Sequence, residues 1–211
     1  MVKIKYNTEE FDFQKRLENL FSVNDLASIK SNYELFERAN DQSTNYHSIY
    51  YNWARTDEFI NLYDSFIAKV IQPIYTEKIV YQAIPTFRIC LPNNIAVGEY
   101  HKDKKYRDES WASKVKEFNY FLPFTDAFDT NTIWVESEED KGDYAPMNCA
   151  YGECIQWDGS NLSHGNELNI TGKTRVSVDF RVIAESNYIP SNSCSINTNI
   201  VFAKGGYYKS I

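Results

Sequence analysis

The chain has 211 residues, 43% of them hydrophobic and 16% aromatic, with a formal net charge of -7. That is enough chain for one substantial core, and the composition is globular rather than disordered. The acidic balance argues against a nucleic-acid backbone as main partner, and no apolar run is long enough to span a bilayer.

The N-terminus, Met1-Val2-Lys3-Ile4-Lys5-Tyr6, lacks the apolar core of a signal peptide. Residues 1–75 read as mostly helical. Residues 9–21 set Phe11, Leu17, Leu20 and Phe21 among charges, so one face is apolar. Asn24-Asp25 caps a short helix through Ile29. The clearest helix spans residues 56–74. Thr56 caps it, Asp57 and Glu58 suit the positive helix end, and Phe59, Leu62, Phe66 and Val70 form one stripe. These helices are expected to pack on the outside of a sheet. Between them, residues 40–53 are polar and aromatic. His47 there reads as an ordinary, partly exposed histidine ahead of a substrate contact, because nothing in the sequence pairs it with another ligand.

From Lys78 the pattern changes to strands, expected at 79–91, 96–101, 115–124, 132–136, 145–148, 153–157 and 173–183, with a short one around 162–165. Many short strands separated by turn signals predict a sandwich or barrel. About eight strands in two antiparallel sheets make a jelly roll. The expected fold is therefore mainly β: a cupin-like double-stranded β-helix over 79–184, flanked by N-terminal helices, in a single domain 1–211. The charged segment 102–114 reads equally as a solvated loop or a lid. The Ser-, Asn- and Gly-rich tail, 185–211, either folds over the barrel or extends to a partner subunit. Cys90, Cys149, Cys154 and Cys194 show no metal-ligand pairing and read as reduced thiols of a cytoplasmic protein. Sequons at Asn161 and Asn169 are taken as chance.

The chemistry concentrates in three places. In Val97-Gly98-Glu99-Tyr100-His101-Lys102-Asp103, an extended chain would project His101 and Asp103 to one side and Lys102 to the other. One more imidazole would complete a two-His-one-carboxylate set, which suits non-haem Fe(II) and leaves coordination positions open. His164, after the turn-rich Asp158-Gly159-Ser160-Asn161, is the natural third ligand. The chain has only three histidines, and two fall at these places. Arg175 and Ser177 then share a face of the strand Thr174-Arg175-Val176-Ser177-Val178-Asp179-Phe180-Arg181. Each piece is weak alone; their order and spacing give them weight.

Together these segments resemble the Fe(II)/2-oxoglutarate-dependent dioxygenase superfamily. The wording of Phe118-Asn119-Tyr120-Phe121-Leu122-Pro123 and of residues 131–136, 152–164 and 174–182 is most similar to its small bacterial and phage branch, related to streptomycin-biosynthesis oxygenases. The resemblance covers about residues 79–184. It implies that His101, Asp103 and His164 bind iron, that Arg175 and Ser177 hold the far carboxylate of the cosubstrate 2-oxoglutarate, and that O2 is the oxidant. Position 103 is small in halogenating relatives, so a carboxylate here implies hydroxylation or desaturation. Some relatives hold the near carboxylate with a second arginine four residues after the first. Asp179 stands there instead, so Asn119 is the expected substitute, with Arg88 and Arg181 as rivals. Arg181 reads alternatively as a partner of Asp179 or as a group facing the substrate. The three arginines Arg88, Arg175 and Arg181 could line a local basic pocket.

The substrate is expected to be a small polar metabolite, sugar- or amino-acid-derived, met by Asn45, Tyr46, Tyr50, Tyr51, Tyr106 and Trp111. No nucleic-acid or membrane partner is expected. Two other readings stay open. One is a cupin-like metalloprotein with other chemistry, in which Arg175-Val176-Ser177 would have no defined job. The other is a non-enzymatic ligand-binding jelly roll, in which the three ligands are incidental.

Overall fold

The computed structural model describes residues 1–30, 44–96, 99–195 and 200–211. Val97 and Gly98, and most of the segment before Thr44, lie outside the described residues, as does part of the tail. The chain opens on a strand, β1 (Val2–Lys5), at the start of the part read as mostly helical. Helix α1 (Phe13–Phe21) buries Phe13, Leu17 and Phe21, an i, i+4, i+8 stripe. It stops at Ser22, whose φ of 56° is left-handed. The Asp25 carboxylate accepts from Ala27 N–H and caps a 3-10 turn, Leu26–Ser28. Helix α2 (Asn45–Trp53), capped by Thr44, occupies the stretch read as merely polar and aromatic. Helix α3 (Asp57–Phe66) is capped by Thr56, as expected. It then widens into a π turn (Ile67–Ile71) and tightens into a 3-10 turn (Gln72–Ile74) at Pro73, so 56–74 is not one regular helix.

The remaining elements are β2 (Ile79–Gln82), β3 (Thr86–Cys90), α4 (Glu109–Ala112), β4 (Glu117–Pro123), β5 (Ile133–Val135), β6 (Ala145–Pro146), β7 (Glu153–Trp157), β8 (His164–Asn166), β9 (Arg175–Ala184) and β10 (Tyr208–Ser210). A seven-stranded sheet runs β1-β7-β4-β9-β2-β10, with β3 also paired to β9, and a three-stranded sheet runs β6-β5-β8. Among the described residues the strand-to-strand pairings are antiparallel. Two expectations need correction. The strand at 79–91 is two strands, both laid on β9 and separated by a corner at Pro85, which has no N–H to give a ladder. The strand at 96–101 is absent from the described part, where only His101 pairs, through one isolated bridge to His164.

Strand β9 organises the packing because its two faces do different work. Val176, Val178, Phe180 and Val182 point into a core shared with the helices, beside Leu17, Phe66 and Ile67. Phe66 is met edge-on by Tyr6, Phe11, Phe13 and Phe180, an arrangement favoured by the ring quadrupoles. By the period of two, Arg175, Ser177, Asp179 and Arg181 take the opposite face. That side faces a second core, in which Phe121, Ile155 and Trp157 of the large sheet meet Ile133 and Val135 of the small one.

The described tail folds back over the sheet. Strand β10 pairs with β2, and Trp111 Nε1–H donates to the Ile189 carbonyl at 2.7 Å. Arg107 lies 3.9 Å over the Phe202 ring and pairs with buried Glu117 at 3.1 Å, and Tyr208 donates to the same carboxylate. Segment 102–114 is therefore packed down at Arg107 and Trp111 rather than solvated throughout.

His47 is buried, 2% exposed, and not the partly exposed residue expected. It lies edge-on to Phe87, with Nδ1 2.8 Å from Thr44 Oγ1. Burial, helped by the Arg88 charge, pushes its pKa down to about 4. Between pH 6.5 and about 4 the unfolded chain then takes up a proton that the folded chain refuses, so this group's stabilisation is lost as the pH falls. At 1.36 kcal/mol per pH unit the loss is on the order of 3 kcal/mol. Urea unfolding at pH 7 and pH 5 should show a steeper fall for the parent than for His47→Gln; equal falls would mean that His47 titrates normally.

Candidate metal centre

His101 and His164 face each other across a reciprocal backbone bridge, each N–H donating to the other's carbonyl at 2.9 Å. Each ring is also tied to the chain two residues before it. His101 Nδ1 is 2.7 Å from the Glu99 carbonyl and His164 Nδ1 is 2.9 Å from that of Leu162. A carbonyl only accepts, so the proton is assigned to Nδ1 in both rings, and Nε2 keeps its lone pair. Those two Nε2 atoms stand 3.6 and 3.7 Å from Asp103 Oδ1. One ligand atom from each residue lies within 4.8 Å of the others, and among the described residues this is the one such group. Ligands about 2 Å from a metal and at right angles sit roughly 3 Å apart, so a small contraction would complete the site.

Asp103 is reached differently from the strand geometry expected. It opens a 3-10 turn (Asp103–Tyr106), and its N–H donates to the Gly159 carbonyl at 2.9 Å. Its second oxygen, Oδ2, accepts from Asn119 Nδ2 and from Arg181 Nη2, both at 2.8 Å. Asn119 and Arg181 are register partners on β4 and β9, which is why they converge. Burial raises the Asp103 pKa, but the Arg181 charge, the two neighbouring imidazoles and the Asn119 amide outweigh it and hold the carboxyl well below its usual range. Burial lowers both histidines. For His164 it prevails over the Asp103 charge; for His101 the nearby Asp103 carboxylate and the Glu99 carbonyl prevail and raise its pKa.

Next along the inward face of β9 come the other expected site residues. Arg175 is 1% exposed, with its guanidinium 5.6 Å over the Phe121 ring. Ser177 is fully buried, and its hydroxyl has no hydrogen-bond partner. A buried guanidinium and an orphaned hydroxyl on one face fit a carboxylate-bearing ligand. Arg181 does not pair with Asp179; Asp179 pairs with Arg88 at 3.4 Å. Asn119, expected at a cosubstrate carboxylate, gives its amide to Asp103 instead.

Of the residues expected to meet substrate, Tyr106 stands beside the candidate metal group, edge-on to His101 at 5.3 Å and 39% exposed. Tyr50 is core, stacked on Phe87; Tyr46 packs against Phe21, Trp111 is buried beside the tail, and Asn45 lies exposed at the start of α2. Tyr51 accepts the Phe87 N–H and so covers the edge of β3. Tyr207 was missed: it is buried where the Arg181 and Arg107 charges act on it, and no sequence pattern links the tail to this face.

No protein-family model matches the chain. A curated relative, the streptomycin biosynthesis protein StrG of Streptomyces griseus, is 31% identical over 209 residues, covering 99% of this chain and 98% of that protein. Two solved structures are similar in fold. The non-haem alpha-ketoglutarate-dependent carbocyclase SnoK from nogalamycin biosynthesis matches with a TM-score of 0.51 at 10% identity, over 87% of this chain and 79% of that one. The non-haem monooxygenase ThoJ, as a nickel complex, matches with a TM-score of 0.50 at 12% identity, over 90% and 76%.

Proposed function

The chain belongs to the StrG family, and from that premise we propose that it is an Fe(II)/2-oxoglutarate-dependent oxygenase acting on a small polar metabolite. The carrying observation is the convergence of His101, Asp103 and His164, with each lone pair freed by a hydrogen bond on the far side of its group. Strand order supports reading the fold as a double-stranded β-helix. With β2 and β3 as one strand, the large sheet alternates first, eighth, third, sixth, and the small sheet, extended by His101, alternates second, seventh, fourth, fifth.

Iron with 2-oxoglutarate and O2 supplies oxidation of an unactivated carbon, releasing succinate and CO2. The chain holds and orients. His101, Asp103 and His164 ligate the metal; Arg175 and Ser177 receive the far carboxylate. Each of the three candidates for the near carboxylate already meets a carboxylate, Asn119 and Arg181 that of Asp103 and Arg88 that of Asp179, so a cosubstrate held by any of them would displace or share an existing contact. The carboxylate at position 103 favours hydroxylation or desaturation over halogenation. Tyr106, beside His101 and half open to solvent, is placed to meet the substrate. StrG takes its name from streptomycin biosynthesis, which favours a sugar- or amino-acid-derived intermediate over a macromolecule.

Anaerobic thermal melts test this reading. Fe(II) and 2-oxoglutarate together should raise Tm more than the sum of their separate effects, because each completes the other's site. A metal effect with none from 2-oxoglutarate would point to a cupin-like protein of other chemistry. No metal effect would leave a plain ligand-binding fold. With the pair bound, substrate-stimulated succinate formation across sugar and amino-acid derivatives identifies the substrate class.

A further inference from the structure

Asp103 has two oxygens, and the fold treats them unequally. Oδ1 faces both histidine Nε2 atoms, at 3.6 and 3.7 Å, while Oδ2 is held by Asn119 Nδ2 and Arg181 Nη2, both at 2.8 Å. The two donors come from neighbouring strands in register, so the clamp is built into the β4–β9 ladder rather than into a loop. A third feature bears on it independently. Gly159 does not have a positive φ, yet a Cβ there would lie 2.5 Å from Asn119 Nδ2. Its carbonyl also accepts the Asp103 N–H at 2.9 Å.

We propose that Arg181 and Asn119 are positioning residues that fix Asp103 as a one-oxygen metal ligand, and that position 159 is glycine so that the Asn119 amide can reach the carboxylate. A carboxylate free to rotate can bind a metal through both oxygens and occupy a further coordination position. With Oδ2 engaged, that position stays open for other ligands. The Arg181 charge also stays next to the carboxylate, so Arg181 is committed here and not to an incoming carboxylate. The inference rests on the metal reading of the three ligands, but not on the cosubstrate.

Cobalt(II) alone is the probe, read by calorimetric titration and by its visible absorption, which reports coordination number. Asn119→Ala and Gly159→Ala should each weaken cobalt binding by about 10- to 100-fold, the range expected for loss of a ligand's outer partner, and should change the absorption band. Arg181→Lys, which keeps a charged donor, should retain more affinity than Arg181→Gln. Asn119→Ala and Gly159→Ala carry the test if the Arg181 variants do not fold. Cobalt affinity within about twofold of the parent and an unchanged band in both would overturn the clamp. A parent that binds no cobalt would instead overturn the metal reading itself, and the clamp with it.

Discussion

Replacing Asp103 with alanine is expected to abolish metal binding and to destabilise the fold at the same time. The first loss follows from removing the sole anionic ligand, which should cost more than the roughly 100-fold upper range for an outer partner. The second follows from what remains. Arg181 is largely buried, with 13% of its side chain exposed, and besides Asp103 it approaches Gln82 Oε1 at 3.5 Å. Leaving one partner of a buried ion pair uncompensated costs about 3–5 kcal/mol, a large share of the 5–15 kcal/mol that holds a typical domain together. Asp103→Asn separates the two effects. Its amide oxygen can still accept from Arg181, so part of the stability should return, while metal affinity should not. Denaturant unfolding without metal and cobalt titration measure the two losses. A Co(II) affinity of Asp103→Ala within about tenfold of the parent would remove Asp103 from the ligand set. Unchanged apo stability would mean that Arg181 finds solvent or another acceptor. Because the folded carboxyl is held well below its usual range, the pair's contribution is present above the ordinary carboxylate pKa and is lost only as the pH falls through the depressed value.

The grouping of His101, Asp103 and His164 was legible because residue types, order and spacing in such a set follow from the chemistry it would serve. How they are held was not. His101 and Asp103 were read as neighbours on a strand; they converge instead from a bridge and a 3-10 turn. The inward face of β9 could be read from its period of two, since Val176, Val178 and Phe180 mark the opposite face. That Arg181 meets Asp103 rather than Asp179 could not, because it depends on a partner 78 residues away. Some misses had a local signal. Val2 and Ile4 alternate with lysines, and Pro85 breaks the run that was read as one strand. Helix α2 buries His47, Tyr50 and Trp53, a polar and aromatic set whose weak apolar contrast hid the helical period. Strand β10 is three residues long and exists because β2 offers it an edge, which is tertiary information.

Arg175→Ala should raise the 2-oxoglutarate requirement strongly and leave the metal bound. Its guanidinium is buried on the face of β9 that carries Ser177 and Arg181, but Arg175 is not part of the candidate metal group His101, Asp103 and His164. Losing a charge-assisted, two-pronged contact to a carboxylate in such a place should cost about 2–5 kcal/mol. That is roughly 30- to several-thousand-fold in 2-oxoglutarate Kd, measured at saturating metal. Arg175→Lys should fall between, since the ammonium keeps the charge and loses the planar fork. The neighbouring hydroxyl then separates a ligand-facing role from a structural one. Ser177 Oγ is buried without a hydrogen-bond partner, so Ser177→Ala removes a desolvated group that gains nothing in the apo protein. Its apo stability should hold or rise, while 2-oxoglutarate affinity falls by about 1 kcal/mol, the ordinary worth of one hydrogen bond. A structural serine would give the reverse pattern, weaker folding with unchanged affinity. That result, together with parental 2-oxoglutarate binding by Arg175→Ala, would assign this face of β9 to packing and take the cosubstrate out of the site.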